Sequence, residues 1–337
     1  MGIVFNIPEY ELVIEIARGS YGQVWLARSV LGTWRAIKIV QRSLFEDACP
    51  YQREFNGIRR YEAISRRHDG LVDVLHVGRN DEGGYFYYVM ELADDQVVGQ
   101  NVRSLDYTPR TLQSELNARG LLPAEECIDL GARLADSMNY LHANGLIHRD
   151  IKPSNIIFVD GQPKLADIGL VADSGLSSFS VGTLGFLPDE GTGDPEADVY
   201  ALGKVLYECS TGMDRNDFPI LPASARGLSG QDKLMQLNEL LLRACAHKEG
   251  NRFGDAGEFA GALRNINAPS VFARPFTWRE RRLIGIAAVL ILLLGLSDAL
   301  LVYLGTRGPD PPAAQMTEKP AIEKTIQGKY NQGKKPR

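Results

Sequence analysis

Three short segments between residues 11 and 41, ELVIEIA, QVWLARS and TWRAIKIVQ, are each rich in β-branched or aromatic residues and separated by glycine. Such runs read as strands, and short turns between neighbours make them an antiparallel meander. A helix-like stretch over 51–67 follows, then LVDVLHVGRNDEGGYFYYVMEL, where Asn80-Asp81-Glu82-Gly83-Gly84 separates two more strands. After Leu92 the period changes. Helical spacing is predicted over 111–119 and over 123–143, where Pro and Glu suit a helix start, and it recurs at 196–210, 233–246 and 256–265. This order restricts the fold class to α+β: a small antiparallel β lobe with one helix, then a larger, mostly helical lobe.

Composition excludes several alternatives. With 337 residues, 44% of them apolar and 23% charged, the chain has ample core-forming residues and is neither collagenous nor wholly disordered. Residues 1–270 carry 26 basic against 37 acidic side chains, while 271–337 carry 11 basic against 5 acidic. An acidic body argues against nucleic acid as a partner, because that binding rests on neutralising phosphates. Cys49, Cys127, Cys209 and Cys245 show no metal-ligand spacing and read as reduced thiols of a cytosolic domain. No repeat with a period of 20 to 50 residues is present.

The N-terminus, Met1-Gly2-Ile3-Val4-Phe5-Asn6, carries neither a basic start with an apolar run nor the hydroxyl residue at position 6 that a myristoylation signal wants. Near the other end, Leu283 to Leu304 is a 22-residue apolar run broken only by Ser297 and Asp298. As a helix rising about 1.5 Å per residue it would cross a hydrocarbon core of about 30 Å. Asp298 lies six residues from its end, close to an interface. Arg274, Arg279, Arg281 and Arg282 precede the run with Trp278, which puts the preceding domain on the cytoplasmic side, although the lysines beyond the run oppose that assignment. Residues 305–337, with five Pro and few apolar side chains, are expected to be disordered.

The turn Ile16-Ala17-Arg18-Gly19-Ser20-Tyr21-Gly22-Gln23-Val24 joins two strands with small residues, which lets backbone N–H groups approach phosphate oxygens. Lys38 stands fourteen residues after Val24 on the third strand, where a cation could reach those phosphates. Then comes His148-Arg149-Asp150-Ile151-Lys152-Pro153-Ser154-Asn155, and after it Asp167-Ile168-Gly169. With these motifs in this order, the chain resembles the eukaryotic-type (Hanks-type) serine/threonine protein kinases, and specifically their bacterial membrane-anchored members, from about Tyr10 to Ile266.

The resemblance implies a two-lobed protein kinase fold with ATP and Mg2+ as cofactors. It makes Asp150 the base for the acceptor hydroxyl and Lys152 a partner of the transferring phosphoryl group, with Asn155 and Asp167 the metal ligands. Hard oxygen donors suit magnesium. Ile16, Ala17, Gly19, Gly22, Val24 and Ala36 would cover the nucleotide. Lys38 would touch its phosphates, held there by Glu54, with Glu62 as a rival too near the helix end. Met90-Glu91-Leu92-Ala93 would be the hinge between lobes, where backbone groups of Glu91 and of Leu92 or Ala93 pair with adenine. Glu190 would pair with Arg252, Asp198 would brace the catalytic loop, and Thr183 would contact Asp150 and Lys152.

Three departures from the family pattern stand out: Ala17 replaces the first glycine of G-x-G-x-x-G, Ile168 the phenylalanine of D-F-G, and Pro188-Asp189-Glu190 replaces A-P-E. None removes a charge the reaction uses. Lys152-Pro153 favours serine and threonine acceptors of protein substrates. Arg149 suggests activation by a phosphate, with Ser174, Ser177, Ser178 and Ser180 as acceptors and self-association allowing trans-autophosphorylation. The expected map is a kinase domain over 9–266 (lobes 9–90 and 93–266), a basic segment 267–282, a membrane helix 283–304 and a tail 305–337. Residues 95–108 read as an insertion of underived role. The rival readings are a catalytically inactive pseudokinase scaffold at the membrane and a kinase of small molecules.

Overall fold

The computed structural model describes residues 5–19, 22–102, 106–167, 172–173, 183–188, 194–223, 231–247 and 251–267. They belong to the first of two units, Met1–Ala268 and Pro269–Arg337. The membrane helix expected at 283–304, the tail 305–337, Ile168-Gly169, Glu190 and the four candidate phosphoacceptor serines lie outside the described residues. Among the described residues no helix is long and apolar enough to cross a membrane.

β1 (Tyr10–Gly19), β2 (Gly22–Ser29), β3 (Trp34–Gln41), β4 (Val74–Asn80) and β5 (Tyr85–Met90) form one antiparallel sheet in the order β1-β2-β3-β5-β4. Side chains alternate across a strand, so β3 sends Ile37 and Ile39 to one face and Ala36, Lys38 and Val40 to the other. Ile37 and Ile39 pack with Ala27, Tyr85, Tyr87, Val89 and Ile7. On the opposite face Val40, Phe86 and Tyr88 meet the helix α1 (Ala48–Ser65), which buries Tyr51, Glu54, Ile58 and Tyr61 along one stripe. That spacing follows the helical repeat, and it carries Glu54 inward on the same stripe as the apolar residues. Asp47 starts the helix by accepting a bond from Cys49 N at 2.7 Å.

The second lobe is built on α3 (Ala124–Ala143), packed against α4 (Pro195–Thr211), α5 (Gln231–Ala244) and α6 (Ala256–Asn267). Gly131 permits the approach of α3 to α4, since a Cβ there would lie 2.6 Å from Leu206 Cδ1. The shorter α2 (Leu112–Arg119) opens with a reciprocal cap between Thr111 and Ser114. β6 (Leu146–Ile147) pairs with β9 (Ala172–Asp173), and β7 (Ile156–Val159) with β8 (Gln162–Leu165). The β7–β8 turn is Asp160-Gly161, at φ 50° and 73°, the pairing that a tight two-residue hairpin favours. The helices expected from periodicity are all present, with ends displaced by at most three residues.

Candidate active site

The segment between β6 and β7 carries His148 to Asn155, and a carboxylate from α4 fixes its backbone. Asp198 accepts from His148 N and Arg149 N, both at 2.8 Å, and hydrogen-bonds His142 Nε2 at 2.8 Å. It is 1% exposed. Burial alone would raise its pKa, yet His142, His148 and the backbone donors outweigh that and hold it below the ordinary carboxylate value. Arg149 sits at φ 69°, a costly conformation for a side chain of that size, and the two backbone bonds to Asp198 flank it. The bracing expected of Asp198 is present.

Asp150, buried in that loop, is met from three sides. Lys152 Nζ donates to Oδ2 at 2.7 Å and Asn155 Nδ2 donates to Oδ2 at 2.8 Å. Thr183 Oγ1 donates to Oδ1 at 2.9 Å and accepts from Lys152 Nζ at 2.9 Å. Thr183 therefore stands where the sequence placed it. Asn155 spends its amide nitrogen on Asp150, the second bond being to the backbone oxygen at 2.9 Å, and this leaves the amide oxygen as a hard donor.

Asp167 follows β8 in the left-handed region at φ 58°. Its carboxylate accepts a hydrogen bond from Lys38 Nζ across the cleft between the lobes, and 44% of the side chain's surface stays open. Burial opposes the Lys38 charge, but Asp167, Tyr88 and Glu54 hold its pKa above the ordinary value. Burial likewise opposes the Asp167 charge, and Lys38 holds that carboxyl low. Lys38 thus pairs with Asp167 but forms no ion pair with Glu54. Instead the Glu54 Oε1 is buried without a hydrogen bond, and desolvation, only partly offset by Lys38, pushes its carboxyl up to about 7. Strand alternation aims Lys38 to the sheet face that α1 also covers, so Glu54 and Asp167 both lie on its side of the sheet, and the ammonium bonds Asp167.

The glycine-rich turn is a two-strand closure. Gly19 lies opposite Gly22, Ala17 opposite Val24, and Val24 opposite Lys38 on the next strand. Gly22 is required: a Cβ there would meet the Ile39 carbonyl oxygen at 2.4 Å. Val24, Ile16 and Ala36 share one cluster with Leu26, Met90, Leu92 and Tyr107. The Glu91 carboxylate accepts from Asp73 N at 2.8 Å and Lys164 Nζ at 2.7 Å, tying the connection between lobes to both of them.

Sequence reasoning missed three of these residues. Lys164 sits on a strand as an ordinary lysine, Tyr88 faces Lys38 through a register that spacing does not show, and Tyr107 lies in the insertion. The donor set itself fits a divalent ion, since Asn155 offers an amide oxygen and Asp167 a partly open carboxylate, and the two are tied together by the bond from Ala166 N to Asn155 O at 2.8 Å.

Residues 10–225 match the family model described as protein kinase domain. The serine/threonine-protein kinase PknB of Mycobacterium tuberculosis is 30% identical over 288 residues, covering 77% of this chain and 43% of that protein. A probable serine/threonine-protein kinase of Clostridium acetobutylicum is 28% identical over 282 residues, covering 76% and 40%. This chain thus spans less than half the length of these relatives. The crystal structure of the Mycobacterium tuberculosis PknI kinase domain superposes with a TM-score of 0.56 at 22% identity, covering 79% of this chain and 99% of that one, which shows the shared fold. With the family model matching well over half its length, the chain belongs to the protein kinase domain family.

Proposed function

We propose that the chain is an ATP-dependent serine/threonine protein kinase that phosphorylates hydroxyls of proteins, itself among them, from the cytoplasmic face of a membrane. The observation that carries the reading is the Asp150 carboxylate, held by Lys152, Asn155 and Thr183 in the cleft that also holds the Lys38–Asp167 pair. A carboxylate so oriented is suited to accept the proton of a serine or threonine hydroxyl. As that proton leaves, the acceptor oxygen forms the new P–O bond and the bond to the ADP oxygen breaks. Lys152 offers a cation beside the acceptor, and Lys38 one at the donor's phosphates; little covalent help from protein is needed. Asn155 and Asp167 would hold magnesium, which when bound neutralises charge on the phosphate oxygens. Backbone groups of Glu91 and Ala93 would pair with adenine beneath Ile16, Ala17, Val24 and Ala36, with Gly19 and Gly22 near the phosphates.

In this reading residues 9–266 are the kinase domain, 283–304 cross the membrane once, and 267–282 and 305–337 flank that helix. Support for the anchor is the apolar run and its preceding arginines. The test is phosphosite mapping of the full chain after incubation with ATP and magnesium, beside an Asp150→Asn control. Phosphoserine or phosphothreonine in the unaltered chain, lost in the control, is expected; an unaltered chain that binds the nucleotide yet modifies neither itself nor a generic protein substrate would favour the scaffold reading.

A further inference from the structure

Residues 95–109 leave the hinge and return to it at one point. Asp94 N donates to Phe158 O at 2.7 Å, Arg110 N to Asp94 O at 2.7 Å, and Phe158 N to Arg110 O at 3.0 Å, closing the neck. Within the excursion the Asp95 carboxylate accepts from Val97 N and Val98 N, each at 2.9 Å, and from Thr108 N at 2.8 Å. The described residues of this stretch, 95–102 and 106–109, are therefore folded about the buried Asp95 carboxylate, and the returning arm carries Tyr107.

Tyr107 is 7% exposed and lies in the apolar cluster of Leu26, Ala36 and Leu92, on the sheet face that would cover a purine. Its hydroxyl donates to the Ala93 carbonyl oxygen at 3.2 Å. Among the described residues the Glu91 carbonyl and the Ala93 N–H have no partner. An adenine fits the two groups that remain: its 6-amino group donates to the Glu91 carbonyl and its N1 accepts from the Ala93 N–H. A 6-oxopurine sets acceptor against acceptor and donor against donor in that register. It can pair only by sliding one step, so that O6 accepts from the Ala93 N–H and N1–H donates to the Ala93 carbonyl. The Tyr107 hydroxyl already bonds that carbonyl, so a base in the shifted register would have to share the oxygen with the tyrosine.

We propose that Tyr107, on the arm that returns to the hinge, is a base-selectivity determinant: by bonding the Ala93 carbonyl it competes for the hinge register a 6-oxopurine needs and biases the cleft toward adenine nucleotides. This rests on the nucleotide-binding reading given above. Tyr107→Phe keeps the ring and releases the carbonyl, so one hydrogen bond becomes available to guanine or hypoxanthine, about tenfold in affinity.

The test measures dissociation constants of ATP, GTP and ITP for the full chain, by displacement of a fluorescent adenine nucleotide, in the unaltered protein and in Tyr107→Phe. The unaltered chain is expected to prefer ATP over both GTP and ITP by at least about tenfold, and the variant to narrow both ratios by about tenfold. ITP lacks the 2-amino group, so a parallel gain by ITP and GTP assigns the effect to the O6/N1–H edge. Ratios unchanged in a variant with an unchanged melting temperature overturn the inference, as does an unaltered chain that binds GTP as tightly as ATP. An unaltered chain that binds none of the three instead overturns the nucleotide-binding reading itself, and the inference with it.

Discussion

The Lys38 ammonium on β3 is hydrogen-bonded to the Asp167 carboxylate, a residue 129 positions further along the chain, while Glu54, on the helix packed against the same face of the sheet, keeps a buried oxygen without a hydrogen bond. One cation therefore faces two carboxylates, a buried one on Glu54 and a partly open one on Asp167, and is engaged by only the second. Its charge holds Asp167 ionised and only partly offsets the burial of Glu54.

Because Lys38 and Asp167 act as a unit, their losses should not multiply. Lys38→Met and Asp167→Asn are each expected to lower phosphotransfer by about 10²–10³. The double variant should be about as slow as the worse single one, since groups that act together lose their joint effect once. Initial rates of the four proteins close the cycle; multiplicative losses would show that the two contribute independently.

Thr183 bridges the two side chains that handle the acceptor, donating to Asp150 and accepting from Lys152. Thr183→Ala removes both bonds without touching the core and is expected to lower kcat about tenfold, the worth of roughly one hydrogen bond in the transition state. Thr183→Ser keeps the hydroxyl and should recover most of the rate. Steady-state kinetics on a peptide substrate decide it, and equal losses in the two variants would assign the effect to the methyl group instead.

The same contrast between local and tertiary information explains what was legible beforehand. The five strands of the first sheet and the six α-helices among the described residues are written in local periodicity and glycine placement, so they could be read within a few residues. Asp150, Asn155 and Thr183 could be named because a single loop and the family's motif order hold them. The partner of Lys38 could not, because it depends on which carboxylate reaches the cleft, a choice made by lobe packing. Tyr107 was equally hidden: its sequence neighbourhood is a polar insertion, and only the closure of the neck at Asp94 and Arg110 brings it back to the hinge.

Asp198 should be the costliest of the polar residues to lose, since it satisfies three donors and is almost wholly buried. Asp198→Asn removes the charge and turns an amide toward a backbone N–H, so the expected loss is about 3–5 kcal/mol, the range for breaking a buried charged network. For a domain of this size that corresponds to a fall of about 10 °C in Tm. Because the Asp198 pKa is held low, its contribution is present above the ordinary carboxylate range and is lost as pH falls through the depressed value. Thermal melts at neutral and acid pH would show the two proteins converging in acid; a constant gap would mean that packing, not charge, is what the substitution removed.

Glu54 predicts the opposite slope. Its carboxyl is raised to about 7, from a value near 4.5. Between those limits the folded chain holds a proton that the unfolded chain has released, so stability must decline as pH rises through the window. Each pKa unit corresponds to about 1.4 kcal/mol, and the whole window to a few kcal/mol. Glu54→Gln is close to isosteric and cannot ionise. Chemical denaturation of the nucleotide-free protein should therefore give a decline between about pH 5 and 7 that the variant lacks. The two curves should meet near the acid end, where the native carboxyl is already neutral, and diverge toward neutrality with the variant the more stable. Parallel curves across that range would mean that Glu54 is ionised throughout, with Lys38 near enough to hold its charge as well as that of Asp167.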